Sequence, residues 1–261
     1  MSRPQTAWRK PSQPVLVLMV ALFVIWLLLV LGVNWGGGPG TREVMGWLVG
    51  KSGEVLHGQI WRLITAALIH DPQRPTHILF TLLLIYFFAP ALEDRWGTKR
   101  LFAFFVGSAA FAFAVETLMT LVLPGVASEV WFGGTVFVDA AVVAWAIGAR
   151  GQGVRFMFVI PMQPMVMVGL MVVWHVLLLI TKNGSYEGMF APFAAMGAGY
   201  LFGDTSPLRR LLLKLKLRRL QKEVADLERK GKAKPKRPRP SHLRVIEGGG
   251  NDGGDDGPVL H

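Results

Sequence analysis

Several residue types are absent or scarce in this chain. Its 261 residues contain no cysteine, which excludes disulfide bonds and thiol nucleophiles. Charged residues make up only 17% of the chain, whereas a soluble domain carries about 25%. Close metal-ligand spacings such as His-x-x-x-His are missing as well, so we expect neither a metal site nor a cofactor.

Apolar residues, in contrast, are abundant and lie in long runs. They form 52% of the chain, and the mean hydropathy is +0.41. The runs 15–33 and 156–181 lack Lys, Arg, Asp and Glu and have about the 20 residues or more that a helix needs to cross a bilayer. Four shorter or acid-containing runs suit helices shielded by their neighbours, namely 76–92, 101–123, 130–149 and 188–203. The sequence therefore predicts an all-α polytopic membrane protein with six transmembrane helices.

The basic residues predict the orientation of these helices. When the six predicted spans alternate across the membrane, most of the 28 lysines and arginines fall on the side that holds both termini. Cytoplasmic loops are enriched in these residues, so we expect both termini to be cytoplasmic. The net charge of +11 then reflects topology and contact with anionic lipid, and we expect no nucleic-acid partner.

Composition divides the chain into four parts. We predict a cytoplasmic N-terminus over 1–14, a six-helix membrane domain over 15–205 with an outer loop at 34–75, a basic amphipathic juxtamembrane helix over 206–230, and a disordered tail over 231–261. The first apolar run is interpreted as an uncleaved helix, because it is long for a signal peptide and no small-x-small cleavage site follows it. The tail is rich in Gly, Pro and charged residues and cannot bury enough apolar area to fold.

The juxtamembrane segment has its own pattern. Apolar residues recur at spacings of 4, 3, 4 and 3, namely at Leu213, Leu217, Leu220, Val224 and Leu227. Lysines and arginines flank this stripe, which predicts a helix lying on an anionic lipid surface. A short dimeric coiled coil and a solvated helix are the alternatives.

Two short motifs suggest local structure. Arg62, beside Trp61, can donate hydrogen bonds to loop carbonyls and stack on an indole, which would hold an irregular loop at the membrane interface. Glu93 lies near the end of a predicted span and can hold a tight turn that closes on Gly97. Both residues are expected to be structural.

The last predicted span contains a stripe of small residues. Ala191, Ala195, Gly199 and Gly203 recur at a spacing of four, so they lie on one face of a helix. Such stripes allow two membrane helices to approach closely.

In this order, the motifs resemble the rhomboid family of intramembrane serine-type endopeptidases. The Trp-Arg loop, the Leu-Glu-x-x-x-Gly turn and the small-residue pattern of the last span all have counterparts there, and the resemblance covers 58–203. It implies a rhomboid-like six-helix bundle whose substrates or clients are transmembrane segments of other proteins.

The positions that carry catalysis in that family are changed here. By resemblance, Thr135 stands at the nucleophilic serine and Pro192 at the basic histidine. His77 is kept at an oxyanion-type position, whereas Thr81 replaces the asparagine there. Proline has no titratable group and cannot activate a hydroxyl. Losing one oxyanion donor alone slows catalysis by about 100-fold to 1000-fold, so the sequence predicts a catalytically degenerate pseudoprotease.

Asp139 is the acidic residue in the predicted fourth span. It lies one turn after Thr135 and therefore on the same helix face. A carboxylate in the bilayer costs about 2.5 kcal/mol or more, so we expect it to be protonated, hydrated or paired with His77, Glu116 or His175. Together with Thr135, His77 and Thr81 it is expected to line a former active-site cavity, or else to form a satisfied buried network.

Three functions remain to be distinguished. The leading hypothesis is a non-catalytic pseudoprotease that binds transmembrane segments of client proteins. The first alternative is an active intramembrane endopeptidase with Thr135 as an atypical nucleophile, and the second is a small transporter or channel that uses Asp139. We expect the protein to reside in a bacterial cytoplasmic (inner) membrane.

Overall fold

The described part of the chain is predominantly helical. The computed structural model describes residues 10–36, 39–149, 154–156, 160–181, 186–203 and 207–233. The helices are α1 (Gln13–Asn34), α2 (Pro39–Leu48), α3 (Ser52–Leu56), α4 (Arg62–Thr65), α5 (Pro75–Trp96), α6 (Thr98–Val122), α7 (Thr135–Gly148), α8 (Pro164–Thr181), α9 (Ala191–Phe202) and α10 (Pro207–Ala233). A 3-10 turn covers Ala66–Leu68. Two antiparallel pairs join β1 (Gly50–Lys51) to β2 (Val130–Trp131) and β3 (Val154–Phe156) to β4 (Ile160–Met162).

The helix lengths confirm an all-α multi-pass membrane protein. Among the described residues, α1, α5, α6 and α8 are long and apolar enough to cross a bilayer. The apolar helices α7 and α9 have only 14 and 12 residues. Most of α7 is buried, because it packs against α5, α6, α8 and α9 and has protein rather than lipid around it. A short helix is tolerated in such a position.

Three predicted spans begin later than their apolar runs suggest. The run 130–149 starts in strand β2, and its helix begins at Thr135. The run 156–181 was predicted to be one helix but enters the hairpin of β3 and β4, and α8 begins at Pro164. The run 188–203 becomes helical at Ala191. A hydrophobic run does not by itself distinguish strand from helix, and proline is accepted in the first turn of a helix but not in its interior.

The predicted outer loop 34–75 is largely folded. It contains α2, α3, α4 and β1, and Arg62 holds these pieces together from a buried position. Its Nη1 donates to the carbonyl oxygens of Gly46 at 2.7 Å and Val49 at 2.6 Å. The guanidinium lies 6.0 Å from the ring of Trp47, which stacks on Trp61 at 6.3 Å. The aromatic partner of Arg62 is therefore Trp47 rather than its sequence neighbour.

The turn between α5 and α6 is organised by Glu93. Its carboxylate accepts hydrogen bonds from Ser12 Oγ at 2.8 Å and Thr98 Oγ1 at 2.6 Å. Its carbonyl accepts the amide of Gly97 at 2.7 Å, and Gly97 adopts a positive φ of 75°. A positive φ favours glycine, which explains the residue at this point. Ser12 also connects the start of α1 to this turn.

Small residues set the distance between α7 and α9. A Cβ at Gly199 would overlap the carbonyl oxygen of Ala140 on α7. A Cβ at Gly203 would lie 3.6 Å from the Cβ of Ala144, one turn further along. The small-residue face of α9 is thus turned toward α7, which brings the start of α9 close to the start of α7.

The described part of the chain divides into two units, one that ends at Leu213 and one that begins at Lys214. Within the second unit, α10 continues to Ala233, slightly past the predicted end of the juxtamembrane helix. Its five-residue apolar stripe is exposed. Its position on an anionic lipid surface stays a prediction, and the predicted tail beyond Ala233 lies outside the described residues, as do residues 1–9.

Candidate functional site

A cavity of about 1240 Å³ lies between α5, α7, α8 and the segment that leads into α9. Its wall is mostly apolar, with Phe80 and Leu84 from α5 and three large side chains from α8, namely Met167, Met171 and Trp174. Polar side chains converge on it from four elements, namely Arg74, His77, Thr135, Asp139, His175 and Glu187. An apolar cavity with a few converging polar groups is the usual form of a binding site.

Thr135 begins α7 directly after two glycines. Gly133 has a φ of 134°, and its amide donates to the carbonyl of Ala66 at 3.0 Å. A Cβ at Gly133 would lie 2.5 Å from Glu187 Oε1, so a side chain here would displace that carboxylate. The glycine therefore makes room for Glu187 beside Thr135, whose hydroxyl donates a hydrogen bond to the same Oε1.

Glu187 is the site residue that the sequence analysis missed. It is buried, and it lies between α8 and α9 in the described segment 186–190. Its Oε1 accepts hydrogen bonds from Thr135 and from His77 Nε2, the latter at 2.9 Å. The partners are 52 and 110 residues away in the sequence, so no local pattern indicates the contact. In the sequence, Glu187 is recognisable only as an acid that directly precedes Gly188 and the apolar run 188–203.

His77 is held in one orientation. Its Nδ1 accepts the amide of Asp71 at 3.3 Å, which leaves the proton on Nε2 for donation to Glu187. The tautomer is thus assigned from the hydrogen bonds around the ring. The rings of Tyr186 and His70 lie 5.1 Å and 4.9 Å from it. The donor that the family resemblance places at an oxyanion position is consequently already engaged.

These bonds also decide the charge of Glu187. Burial alone raises the pKa of a carboxyl group, but the hydrogen bonds from His77 and Thr135 favour the ionised form. The balance holds the pKa of Glu187 below its usual value. A carboxylate that is already stabilised in this way is a weak base.

Thr81 lies behind the cavity rather than in its wall. Its hydroxyl is fully buried and donates to the carbonyl of His77 at 3.0 Å. His70 Nε2 lies 3.3 Å from this hydroxyl and 3.4 Å from the amide of Gly134. Burial, followed by repulsion from His77, lowers the pKa of His70 to about 3, so this imidazole is neutral. Because the Thr81 side chain is buried behind His77, it does not line the cavity as expected.

Pro192 is buried in the first turn of α9. The helix start is held by Glu116, whose carboxylate accepts the amides of Met189 at 3.1 Å, Phe190 at 2.6 Å and Ala191 at 2.8 Å. The amides of Phe190 and Ala191 belong to the N–H groups that a helix start leaves unpaired, and the amide of Met189 directly precedes them. An acid at a helix start is favourable. Glu116 therefore caps α9, so this candidate partner of Asp139 is engaged elsewhere.

Asp139 is neighboured by His175, one of its three candidate partners. His175 Nε2 on α8 lies 3.2 Å from Asp139 Oδ2, which is within the distance of an ion pair. Asp139 is 5% exposed, and its Oδ2 has no hydrogen-bond partner among the described residues. The described residues also contain no group of three His, Asp or Glu side chains placed to hold a metal ion.

The sequence was compared with models of protein families. A model described as the Rhomboid domain matches residues 57–206, which is more than half of the chain. The match begins ahead of the Trp61–Arg62 motif and ends just after α9. It therefore includes every side chain of the cavity described above.

Proposed function

The chain belongs to the rhomboid family, and we propose that it is a non-catalytic member that binds transmembrane segments of client proteins in the cavity between α5 and α8. The observation that carries this proposal is the state of Thr135. Its hydroxyl donates to a buried carboxylate, and a buried proline stands where the family resemblance places the base.

Thr135 lacks a suitable general base that would make its hydroxyl a nucleophile. A hydroxyl must lose its proton to a base, and general bases work best when their pKa is near the working pH. The hydrogen-bond acceptor of Thr135 is Glu187, whose pKa lies below its usual value and whose Oε1 is shared with His77. Pro192 cannot take a proton at all.

The stabilisation of a reaction intermediate is impaired as well. An oxyanion needs donors aimed at the position where negative charge develops. His77 Nε2 already donates to Glu187, and the hydroxyl of Thr81 is turned toward the carbonyl of its own helix. A substrate carbonyl would have to displace a carboxylate that two donors hold in place.

The cavity is suited to a helix from another protein. Two of its lining residues lie at the surface, Phe80 on α5 at 60% exposed and Trp174 on α8 at 61%. The described side chains of α8 are buried only at Pro164 and Met167, so most of this helix is available for contact with another helix. Met167 and Met171 add a surface that adapts to different partners.

Photo-crosslinking in proteoliposomes tests the proposal. Benzoylphenylalanine replaces Phe80 or Trp174 in the full chain, and a labelled panel of single-span membrane proteins is added. We expect both positions to capture intact clients. The matched control is Val17 on α1, which is 67% exposed and does not line the cavity, and which should capture none. Equal capture at all three positions, or no capture, would contradict the proposal.

The hydrogen bond between Thr135 and Glu187 favours a second candidate, an endopeptidase in which this carboxylate is the base. That enzyme would cut a rhomboid-type substrate in lipid and react with a fluorophosphonate probe. Both activities would disappear in Thr135→Val and in Glu187→Gln. We expect neither activity in the wild type, and cleavage that depends on both residues would replace our proposal with this one.

A further inference from the structure

The apolar cavity contains two carboxylates that differ in how well they are satisfied. Glu187 accepts two hydrogen bonds, from Thr135 and His77. Asp139 Oδ2 accepts none from the described residues, although Asp139 is 5% exposed and lines the same cavity. A buried carboxylate oxygen without a donor is unfavourable, and it is satisfied when a donor is brought to it.

The charges around the cavity do not supply that donor. The side chain of Arg74 is 69% exposed, lies 4.0 Å from Asp71 Oδ2 and sits over the ring of Tyr186. Both ring nitrogens of His77 are engaged, one with Asp71 and one with Glu187. His175 Nε2 lies at ion-pair distance from Asp139 Oδ2, yet this oxygen has no hydrogen-bond partner among the described residues. The described lining therefore leaves this oxygen open to a donor on an incoming ligand.

We propose that the cavity selects client transmembrane segments that carry a lysine or arginine at the depth of Asp139, whose side chain donates to Asp139 Oδ2. The inference rests on the proposed function and specifies the class of client. Asp139 is the residue that determines this specificity, and His175 is its neighbour on α8.

The preference for a cation follows from the energetics of the bilayer. A basic residue in a client helix and Asp139 are each unfavourable in an apolar surrounding, and pairing them relieves both. A fully apolar client helix would cover Asp139 Oδ2 without donating a hydrogen bond to this oxygen. An acidic residue in the client helix would be repelled by Asp139. A glutamine can donate one hydrogen bond but carries no charge, so it should lie between these cases.

The occupant is a helix rather than a dissolved cation. The wall around Asp139 is apolar, with Val142, Leu170, Met171 and Trp174 among the lining residues. A free cation there would lose its hydration and find few oxygens, whereas a client helix covers these apolar side chains and delivers the charge on a flexible stem. The two occupants are distinguished below.

The experiment uses the full chain in liposomes and four labelled polyleucine single-span peptides. Their central residue is lysine, glutamine, leucine or glutamate, and capture by the protein is measured by energy transfer. A polar contact between membrane helices corresponds to about tenfold in affinity. We expect the lysine peptide to be captured about tenfold better than the leucine peptide and the glutamate peptide to be captured worst.

The variant Asp139→Asn keeps the shape of the side chain and removes its charge. It should abolish the preference for the lysine peptide over the leucine peptide, because the lysine loses its charged partner and the leucine peptide no longer covers an unsatisfied carboxylate. General unfolding would instead lower capture of both peptides. The matched control is Glu43→Gln, an exposed acid on α2 outside the cavity, which should behave like the wild type.

The possible failures are distinct. Capture of all peptides with equal strength, or selectivity that survives Asp139→Asn, would overturn this inference and leave the proposed function intact. Capture of no peptide by the wild type would overturn both. Thermal stabilisation of the wild type, but not of Asp139→Asn, by soluble butylammonium without peptide selectivity would assign the site to a free amine and overturn the inference.

Discussion

At Gly133 the backbone and a neighbouring side chain both require glycine. The residue has a φ of 134°, and a Cβ would lie 2.5 Å from Glu187 Oε1. A side chain there would therefore strain the backbone and move the carboxylate away from Thr135 and His77. The arrangement of three polar groups thus depends on a residue that has no side chain.

We expect Gly133→Ala to lower the unfolding temperature of the protein in detergent, with a loss of about 1–3 kcal/mol. Gly107→Ala on α6 is the control, because nothing lies within 4 Å of its Cβ position. Alanine is favoured over glycine in a helix, so this variant should be as stable as the wild type or slightly more stable. If Gly133→Ala left the unfolding temperature unchanged, the Glu187 carboxylate would not lie against Gly133.

His70 predicts how stability depends on pH. Its pKa falls to about 3 in the folded chain from 6.5 in an unfolded one, because burial disfavours its charged form. The unfolded chain therefore binds the proton first, and stability that is present above pH 6.5 is lost as the pH falls toward 3. The loss approaches about 1.4 kcal/mol per pH unit at most.

The measurement is a series of thermal unfolding curves between pH 7.5 and pH 5. We expect His70→Gln to flatten the decline that the wild type shows below pH 6.5. His57→Gln, a change at an exposed histidine, serves as the control and should leave the slope unchanged. Identical slopes in all three proteins would show that His70 is not buried in its neutral form.

At the scale of elements, the packing of α7 on α9 positions the site. Gly199 on α9 lies against the carbonyl of Ala140 on α7. Thr135 is the first residue of α7, and Ala191 and Pro192 are the first two residues of α9. The start of α9 is in turn anchored by Glu116 of α6. A change in this packing should therefore move the walls of the cavity.

Two glycines on α9 allow a matched comparison. Gly199→Ala would place a methyl group against the Ala140 carbonyl, whereas nothing lies within 4 Å of the Cβ position of Gly197. We expect Gly199→Ala to cost about 1–3 kcal/mol of stability through overpacking, and Gly197→Ala to be neutral. Unfolding temperatures of the two purified variants provide the test. Equal values would contradict close packing at Gly199.

At the scale of the whole molecule, the open question is orientation in the membrane. The distribution of lysine and arginine predicts cytoplasmic termini, with the segment around α2 on the outer side. The turn between α5 and α6 should then face the cytoplasm. Because the chain has no cysteine, single introduced cysteines can report each side without background.

We expect Glu43→Cys, on α2, to react with a membrane-impermeant maleimide in intact cells. Lys99→Cys, at the start of α6, should react only after the membrane is permeabilised. Both positions are exposed, so a difference in labelling reports the side of the membrane rather than burial. The reverse labelling pattern would invert the predicted topology.

Much of the fold could be predicted from local features. Long apolar runs indicate membrane helices, because every backbone polar group must be bonded within the segment in lipid. The helix starts at Thr135, Pro164 and Ala191 were less accessible, since apolar composition is the same for a buried strand and a buried helix. The bonds from Arg62 to loop carbonyls were predicted, but the short helices within 34–75 were not, because they lack the long apolar runs that indicate membrane helices.

The sequence alone determined that the chain is a multi-pass membrane protein with rhomboid landmarks, and by resemblance it predicts proline at the position of the family's base. These features depend on composition and on residue types in order along the chain. Only the tertiary structure decided that Glu187 meets Thr135 and His77, that Glu116 caps α9, and that Asp139 faces a cavity with one oxygen free of hydrogen bonds. These facts depend on distances between side chains far apart in sequence, and packing of the helices sets such distances.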